Sequence, residues 1–360
     1  MKKIIVFLTN LLNNGISNFL YNYLSFMPLY NFDITILCSA PIDQEILEKF
    51  KTLNIKFKIV TSKKVSLTKY THEVKKILEN TYDVSHINGN SGTMALECWL
   101  SKKSQIKKII LHNHNTSCDH PFIFGPKSVF TWYMKRHADG LLACSKDAGK
   151  WLFKNNYLIL NNAININKYM FNFNYRHEIR SKYSIDDSTY IIGQVGLFNK
   201  QKNQEFTLNV FQIYLKKNPN ALLMFVGEGS NLDYIKNKVN ELMLNDKVIF
   251  CGSRTDVFKY YSAMDLFILP SIFEGFGIVN VEAQASGLPC LVSDKVIREV
   301  KCSDKFNYES LEASFETWAD GIENLKKDWG LDRSVDIERI RKAGFDITLQ
   351  ASILYRIYNN

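Results

Sequence analysis

Short apolar runs recur along the chain, and most are followed by a stretch in which apolar positions return every three or four residues. IIVFL (4–8), FDITILC (32–38), FKIV (57–60), YDVSHING (82–89), KKIILHNH (107–114) and GLLACS (140–145) read as strands. Helical periodicity falls near residues 16–26 and over DQEILEKFKTL (43–53) and THEVKKILEN (71–80). Runs with little polar alternation suit strands covered on both faces, as in parallel sheets. The rhythm stops over the polar stretch FNFNYRHEIRSKYSIDD (171–187), which reads as irregular, and then restarts. Further strands are YIIGQVGLF (190–198), ALLMFVGEG (221–229), KVIFCGS (247–253), DLFILP (265–270) and LPCLVS (288–293), with helices from Gln204 and over 231–243. This predicts an α/β chain of two Rossmann-like, doubly wound parallel-sheet domains facing a cleft, with ligands at the C-terminal ends of the strands. The division is expected as 1–168 and 169–344. The amphipathic last segment, DITLQASILYRIYNN, can pack on either domain, and a helix over about 345–360 is expected to return to the first.

A length of 360 residues agrees with two domains, since single cores rarely grow so large. No apolar run approaches a transmembrane span, and MKKIIVFLTN lacks a long apolar region and a small-residue cleavage site, so it reads as a first strand. Seven scattered cysteines without a CxxC fit a reduced cytoplasmic setting. Charge changes the picture more. Residues 1–170 hold 22 Lys and Arg against 11 Asp and Glu, whereas residues 171–360 hold 23 against 25. Lys63, Lys64, Lys69, Lys75 and Lys76 form one basic group, and Lys102, Lys103, Lys107 and Lys108 another. PKSVFTWYMKRH (126–137) mixes aromatics with Lys127, Lys135 and Arg136. The pattern suits either an anionic membrane surface or a plain solvated face, and no nucleic-acid module accompanies it.

The richest segment is LPSIFEGFGIVNVEAQASGLPCLVSD (269–294). Gly275 and Gly277 allow a tight turn into a helix expected from about Ile278 to Ser286, stopped by Gly287 with Pro289 beyond. Its free N–H groups suit a phosphate, and Glu274 and Glu282 suit sugar hydroxyls or charge developing on a sugar ring. In HNHN (112–115), alternation puts His112 and His114 on one face, with no further ligand at metal spacing. No GxGxxG fingerprint is present, which argues against a dinucleotide oxidoreductase.

VGLFNKQKN (195–203), FVGEG (225–229), FCGSRTDV (250–257) and MDLFILPSIFEGFGIVNVEAQASGLP (264–289) occur in an order that resembles retaining glycosyltransferases of the GT-B, family 4 type. Capsule and exopolysaccharide enzymes are the nearest flavour. The likeness extends back through NNAININKYMF (161–171), DVSHING and HNHN. It implies a nucleotide-sugar donor, with Glu282 on the ribose and Glu274 beside the transferred sugar as nucleophile, hydroxyl ligand or electrostatic stabiliser. The N–H groups of Phe276, Gly277 and Ile278 face the diphosphate, joined by Lys202. Gly196 precedes Leu197, where the family commonly has Arg, leaving Lys200 as a nearby cation. Gly252, Ser253 and Arg254 match the base-binding turn. Gly15, between Asn14 and Ile16, stands where two adjacent glycines are usual. His114 matches a histidine that approaches donor and acceptor, while His86 reads as structural.

The implied activity is hexosyl transfer with retention from a UDP- or GDP-sugar to a glycan hydroxyl, the acceptor being lipid-linked and the protein peripheral at the inner membrane face. No metal or other cofactor is expected. The alternatives are a GT-B nucleotide-sugar epimerase or hydrolase, and a non-catalytic scaffold of the same fold, which Leu197 favours.

Overall fold

Every residue except Asn13, Thr116, Ser117, Asp119, Gly275 and residues 328–332 is described by the computed structural model. The chain forms two units, Met1–Ala163 with Ile347–Asn360, and Ile164–Asp346.

In the first unit the six apolar runs become β1 (Lys2–Leu11), β2 (Phe32–Ile42), β3 (Lys56–Val60), β4 (Val84–Gly89), β5 (Lys108–Asn113) and β6 (Gly140–Ala143), and a two-residue strand outside the expected set, β7 (Leu158–Ile159), follows them. They pair in parallel in the order β3-β2-β1-β4-β5-β6-β7. Successive side chains of β1 serve opposite cores: Ile4 and Val6 pack on one face, Ile5 and Phe7 on the other. That two-sided burial is why β1 shows no polar alternation. The last helix, Ile347–Asn359, belongs to this unit and lays Ile347, Ala351, Leu354 and Tyr358 into the Ile4/Val6 core.

The second unit carries β8 (Tyr190–Val195), β9 (Ala221–Val226), β10 (Val248–Phe250), β11 (Leu266–Leu269), β12 (Cys290–Ser293) and β13 (Phe306–Glu309), parallel in the order β10-β9-β8-β11-β12-β13. The order reverses between β8 and β11, the switch point where open α/β sheets place ligands.

One expectation needs correction, and one further strand has no signal in the sequence pattern. The stretch 171–187 is not irregular: a helix runs Phe173–Lys182, capped by the Asn172 side chain. Its inward positions are Arg176, Ile179 and Arg180, so apolar periodicity misses it. Arg176 Nη2 lies 2.9 Å from Asp265 Oδ1, and Arg180 Nη2 lies 2.7 Å from Oδ2. Asp265 also accepts from Ile191 N–H at 2.7 Å, tying this helix to β8 and to the start of β11. β13, in the polar segment KFNYES, lies outside the strand pattern because it is short and buries only Phe306.

Candidate functional site

In the second unit the site is built at the C-terminal ends of β8, β9, β10 and β11. Backbone bonds link these ends: Gly196 N–H donates to Val226 O at 3.0 Å, and Gly227 N–H to Gly252 O at 2.9 Å. A Cβ on Gly227 would stand 2.0 Å from Gly196 O, so the two turns touch backbone to backbone. Lys202 follows β8 in a loop anchored at both ends. Its N–H donates to Asn199 Oδ1 at 2.9 Å, and its carbonyl accepts from the buried Gln194 side chain at 2.7 Å.

Lys202 Nζ meets Glu274 Oε2 at 2.5 Å, with both side chains largely buried. Ser271 Oγ donates to the same carboxylate at 3.3 Å. Beyond Glu274, Gly275 lies outside the described residues. Gly277 adopts φ 64°, ψ 60° at the head of the helix Ile278–Ala285. A Cβ there would sit 2.5 Å from Glu274 Cγ and 2.6 Å from Asn280 Nδ2, so only glycine keeps the helix start against Glu274. No side chain caps this helix, and among the described residues no acceptor meets the N–H groups of Phe276, Gly277 and Ile278. One unit thus brings a lysine, a carboxylate and three free amides to the same turn, an arrangement chemically suited to a phosphate beside a polar or cationic centre.

Glu282 lies one turn into that helix and is buried. Tyr169 hydroxyl donates to Oε1 at 2.8 Å and Tyr261 hydroxyl to Oε2 at 2.9 Å. Burial raises its pKa, against the opposing pull of the two tyrosine bonds and of Lys168 and Lys202. Each carboxylate oxygen keeps a further lone pair. Gly252, at φ 71°, opens the turn after β10, where Ser253 N–H donates to Glu228 Oε1 at 3.3 Å. Arg254 is exposed and lies over the Tyr260 ring, 5.6 Å from its centroid. Leu197 is 64% exposed, and Lys200 is exposed as well.

The first unit carries the other expected positions. Gly15 begins the helix Gly15–Ser25, and a Cβ on it would meet nothing within 4 Å. The next amides, Ile16 and Ser17, already donate to Asn14 Oδ1. His112 and His114 do share a face: their rings lie 4.1 Å apart, both against Phe19. His86 stacks on His112 at 5.5 Å and bonds Tyr358 Oη through Nδ1 at 2.6 Å.

Asn88 orients His114. Its amide nitrogen donates to Phe7 O at 3.4 Å, so its oxygen faces His114 Nε2 at 2.9 Å. That oxygen accepts only, so Nε2 carries the proton and Nδ1 is left as the acceptor. Asn88, Gln194, Tyr169 and Tyr261 escape sequence reasoning, because each acts on a partner brought near only by the fold. Among the described residues, no group of three or more His, Cys, Asp or Glu could hold a metal ion, and no helix is long and apolar enough to cross a membrane.

Burial pushes His86 down to about 3, and burial with the neighbouring imidazoles lowers His112 and His114 too. Stability from these neutral rings is therefore complete above the ordinary histidine range and is lost as pH falls towards the folded values. Each excluded proton steepens that loss by at most about 1.4 kcal/mol per pH unit, so the three approach about 4. Urea unfolding of the first unit should show a much lower midpoint near pH 5 than near pH 7. Equal midpoints would contradict the buried, neutral ladder.

Residues 175–342 match the family model described as "Glycosyl transferases group 1". The chain is 27% identical over 285 residues to "Putative glycosyltransferase EpsF" of Bacillus subtilis (strain 168), covering 76% of this chain and 73% of that one. It is 22% identical over 288 residues to the Escherichia coli UDP-Gal:alpha-D-GlcNAc-diphosphoundecaprenol alpha-1,3-galactosyltransferase, covering 74% and 73%. Its fold is similar over the full length of both chains to Anabaena Alr3699/HepE in complex with UDP, with a TM-score of 0.79 at 16% identity. Most of the second unit thus matches the group 1 glycosyl transferases, and the two parallel α/β units together have the GT-B fold.

Proposed function

We propose that this chain is a retaining hexosyltransferase that moves a sugar from a UDP- or GDP-sugar to a glycan hydroxyl. The acceptor is read as lipid-linked, in capsule or exopolysaccharide synthesis at the inner membrane face. The observation that carries this reading is the meeting of Lys202, Glu274 and the free amides of Phe276, Gly277 and Ile278 in one turn. UDP in the Anabaena complex and the lipid diphosphate named for the E. coli relative support the choice of donor and acceptor.

The donor diphosphate takes Lys202 and the three amides, releasing Glu274 to face the sugar. Glu282 accepts from the ribose hydroxyls while Tyr169 and Tyr261 hold it in place. Gly196 leaves room for the phosphates, and Gly252 and Arg254 take the base side. Gly15 leaves space for the donor on the first unit, and His114 offers Nδ1 to a sugar or acceptor hydroxyl. As the bond from the anomeric carbon to the phosphate oxygen breaks, the acceptor oxygen bonds that carbon from the same face. Its proton passes to the departing diphosphate. Lys202 and the amides neutralise the leaving group, so no metal is required.

Leu197 keeps open a second reading, a non-catalytic scaffold, because an exposed leucine cannot hold phosphate where the family that the motifs resemble commonly has arginine. The side chain is solvent-exposed, so Leu197→Arg should leave folding unchanged. It should tighten UDP or GDP binding about tenfold or more through a new charged contact. Calorimetric titration with and without EDTA checks both points. Wild-type binding that survives EDTA fits the proposal. Binding by the variant alone would favour the scaffold, and loss of binding in EDTA would contradict metal independence.

A further inference from the structure

Two hydroxyls from elements far apart in sequence converge on the buried carboxylate of Glu282. Tyr169 ends the short helix Ile166–Tyr169 and donates to Oε1 at 2.8 Å. Tyr261 lies in the helix Val257–Ala263 and donates to Oε2 at 2.9 Å. Both rings are packed in place. Tyr261 is fully buried with its ring 6.0 Å from that of Phe267, and the two tyrosine rings lie 6.1 Å apart. Burial raises the pKa of each phenol, and the charge of Glu282 raises it further, so both keep their protons and act as donors. The other groups facing Glu282 are Lys168, beside Tyr169, and Lys202, from the loop after β8; Cys290 stands near Tyr261.

A carboxylate offers two lone pairs on each oxygen. The tyrosines take one on each, and among the described residues no other donor bonds this carboxylate. One lone pair per oxygen is left, side by side, which suits two donors on adjacent atoms, such as the vicinal hydroxyls of a ribose. Glu282 keeps this pattern only while it is ionised, because a protonated carboxyl is itself a donor and gives up an accepting position. Burial favours the proton, and the two phenol bonds oppose it. The same two hydroxyls therefore aim the remaining lone pairs and keep them free.

We propose that Tyr169 and Tyr261 are specificity-determining residues of the donor site: by each occupying one lone pair of Glu282, they leave a carboxylate that accepts from two vicinal hydroxyls and so discriminates a ribonucleotide from its 2′,3′-dideoxy form. This role rests on the placement of Glu282 at the ribose proposed above, and both tyrosines act through Glu282 as positioning residues. Phenylalanine at both positions keeps the rings and removes the donors. The buried carboxylate then takes up a proton more readily. Recognition that needs its charged form is complete above the variant's carboxyl pKa and is lost as pH falls through it.

Wild type, Tyr169→Phe, Tyr261→Phe and the double variant are titrated calorimetrically with UDP and GDP, and with the 2′,3′-dideoxy form of each, between about pH 5.5 and about pH 8. Wild type should favour the ribonucleotide at least about tenfold, the scale of a single hydrogen bond to a charged group, with little change over this range. The double variant should lose most of that preference, and what is left should fall with pH. The dideoxy nucleotide should bind wild type and variant alike. Melting curves check folding, and Tyr169→Phe, which changes a half-buried ring, carries the test alone if the double variant does not fold. A full, pH-independent preference in the variants would overturn the inference, as would an equal loss of ribonucleotide and dideoxynucleotide binding. No preference in wild type would overturn it by taking Glu282 off the ribose, while leaving the turn of Lys202 and Glu274 and sugar transfer itself intact. No nucleotide binding by wild type would overturn the inference and the proposed function together.

Discussion

Replacing Glu274 with Gln should lower the rate of sugar transfer roughly a thousandfold, the scale expected when a preorganised electrostatic partner is lost. The carboxylate is held by Lys202 at 2.5 Å and by Ser271 at 3.3 Å, so its position is fixed before any substrate arrives. Glutamine keeps the size and one accepting oxygen, while removing the negative charge. Lys202 then loses its counter-charge, and a diphosphate becomes its best partner. The variant should therefore bind the donor as well as wild type or better, while kcat collapses. A structural role alone predicts the reverse: lost binding and a lower melting point with little effect on the chemical step. Single-turnover rates, donor titration and thermal melting on the same protein separate the two. Unchanged kcat would remove Glu274 from the chemistry.

Asp265→Asn should unfold the second unit under conditions where the wild type is stable. Asp265 is fully buried beneath Arg176 and Arg180 and accepts from the β8 backbone. The same arginines hold the carbonyls that end the helix Val257–Ala263, with Arg176 Nη1 on Ala263 O at 3.1 Å and Arg180 Nε on it at 3.2 Å. Breaking a buried pair on one side leaves uncompensated charge and costs about 3–5 kcal/mol, against about 5–15 for a whole domain. In urea, the second-unit transition should move to much lower denaturant, while the first unit keeps its midpoint. A shift of less than about 1 kcal/mol would show that the arginines are satisfied by carbonyls alone.

These residues mark where the sequence is legible. Parallel strands announce themselves because both faces are buried, as in β1 and β11. The segment from Glu274 to Glu282 is legible because it is local: two carboxylates, two glycines and an expected helix start lie within nine residues. The helix Phe173–Lys182 is hidden because arginine, which usually signals solvent, fills two of its inward positions. Lys202 and Glu274 are 72 residues apart, and Tyr169 and Glu282 are 113 apart. Sequence alone can nominate such residues by family likeness. It cannot show that Lys202 is engaged by Glu274, that two tyrosines hold Glu282, or that Asn88 sets the His114 tautomer.

Acceptor-dependent product formation separates glycosyl transfer from hydrolysis, epimerisation and a scaffold role. The protein would be incubated with UDP- and GDP-sugars, with and without a lipid diphosphate-linked glycan, and product mass and released nucleotide measured together. Glycosyl transfer should give an acceptor heavier by one hexose-type residue and equimolar nucleoside diphosphate, both absent when the acceptor is omitted. Nucleotide release at the same rate without acceptor, or neither binding nor turnover of any nucleotide sugar, would contradict it.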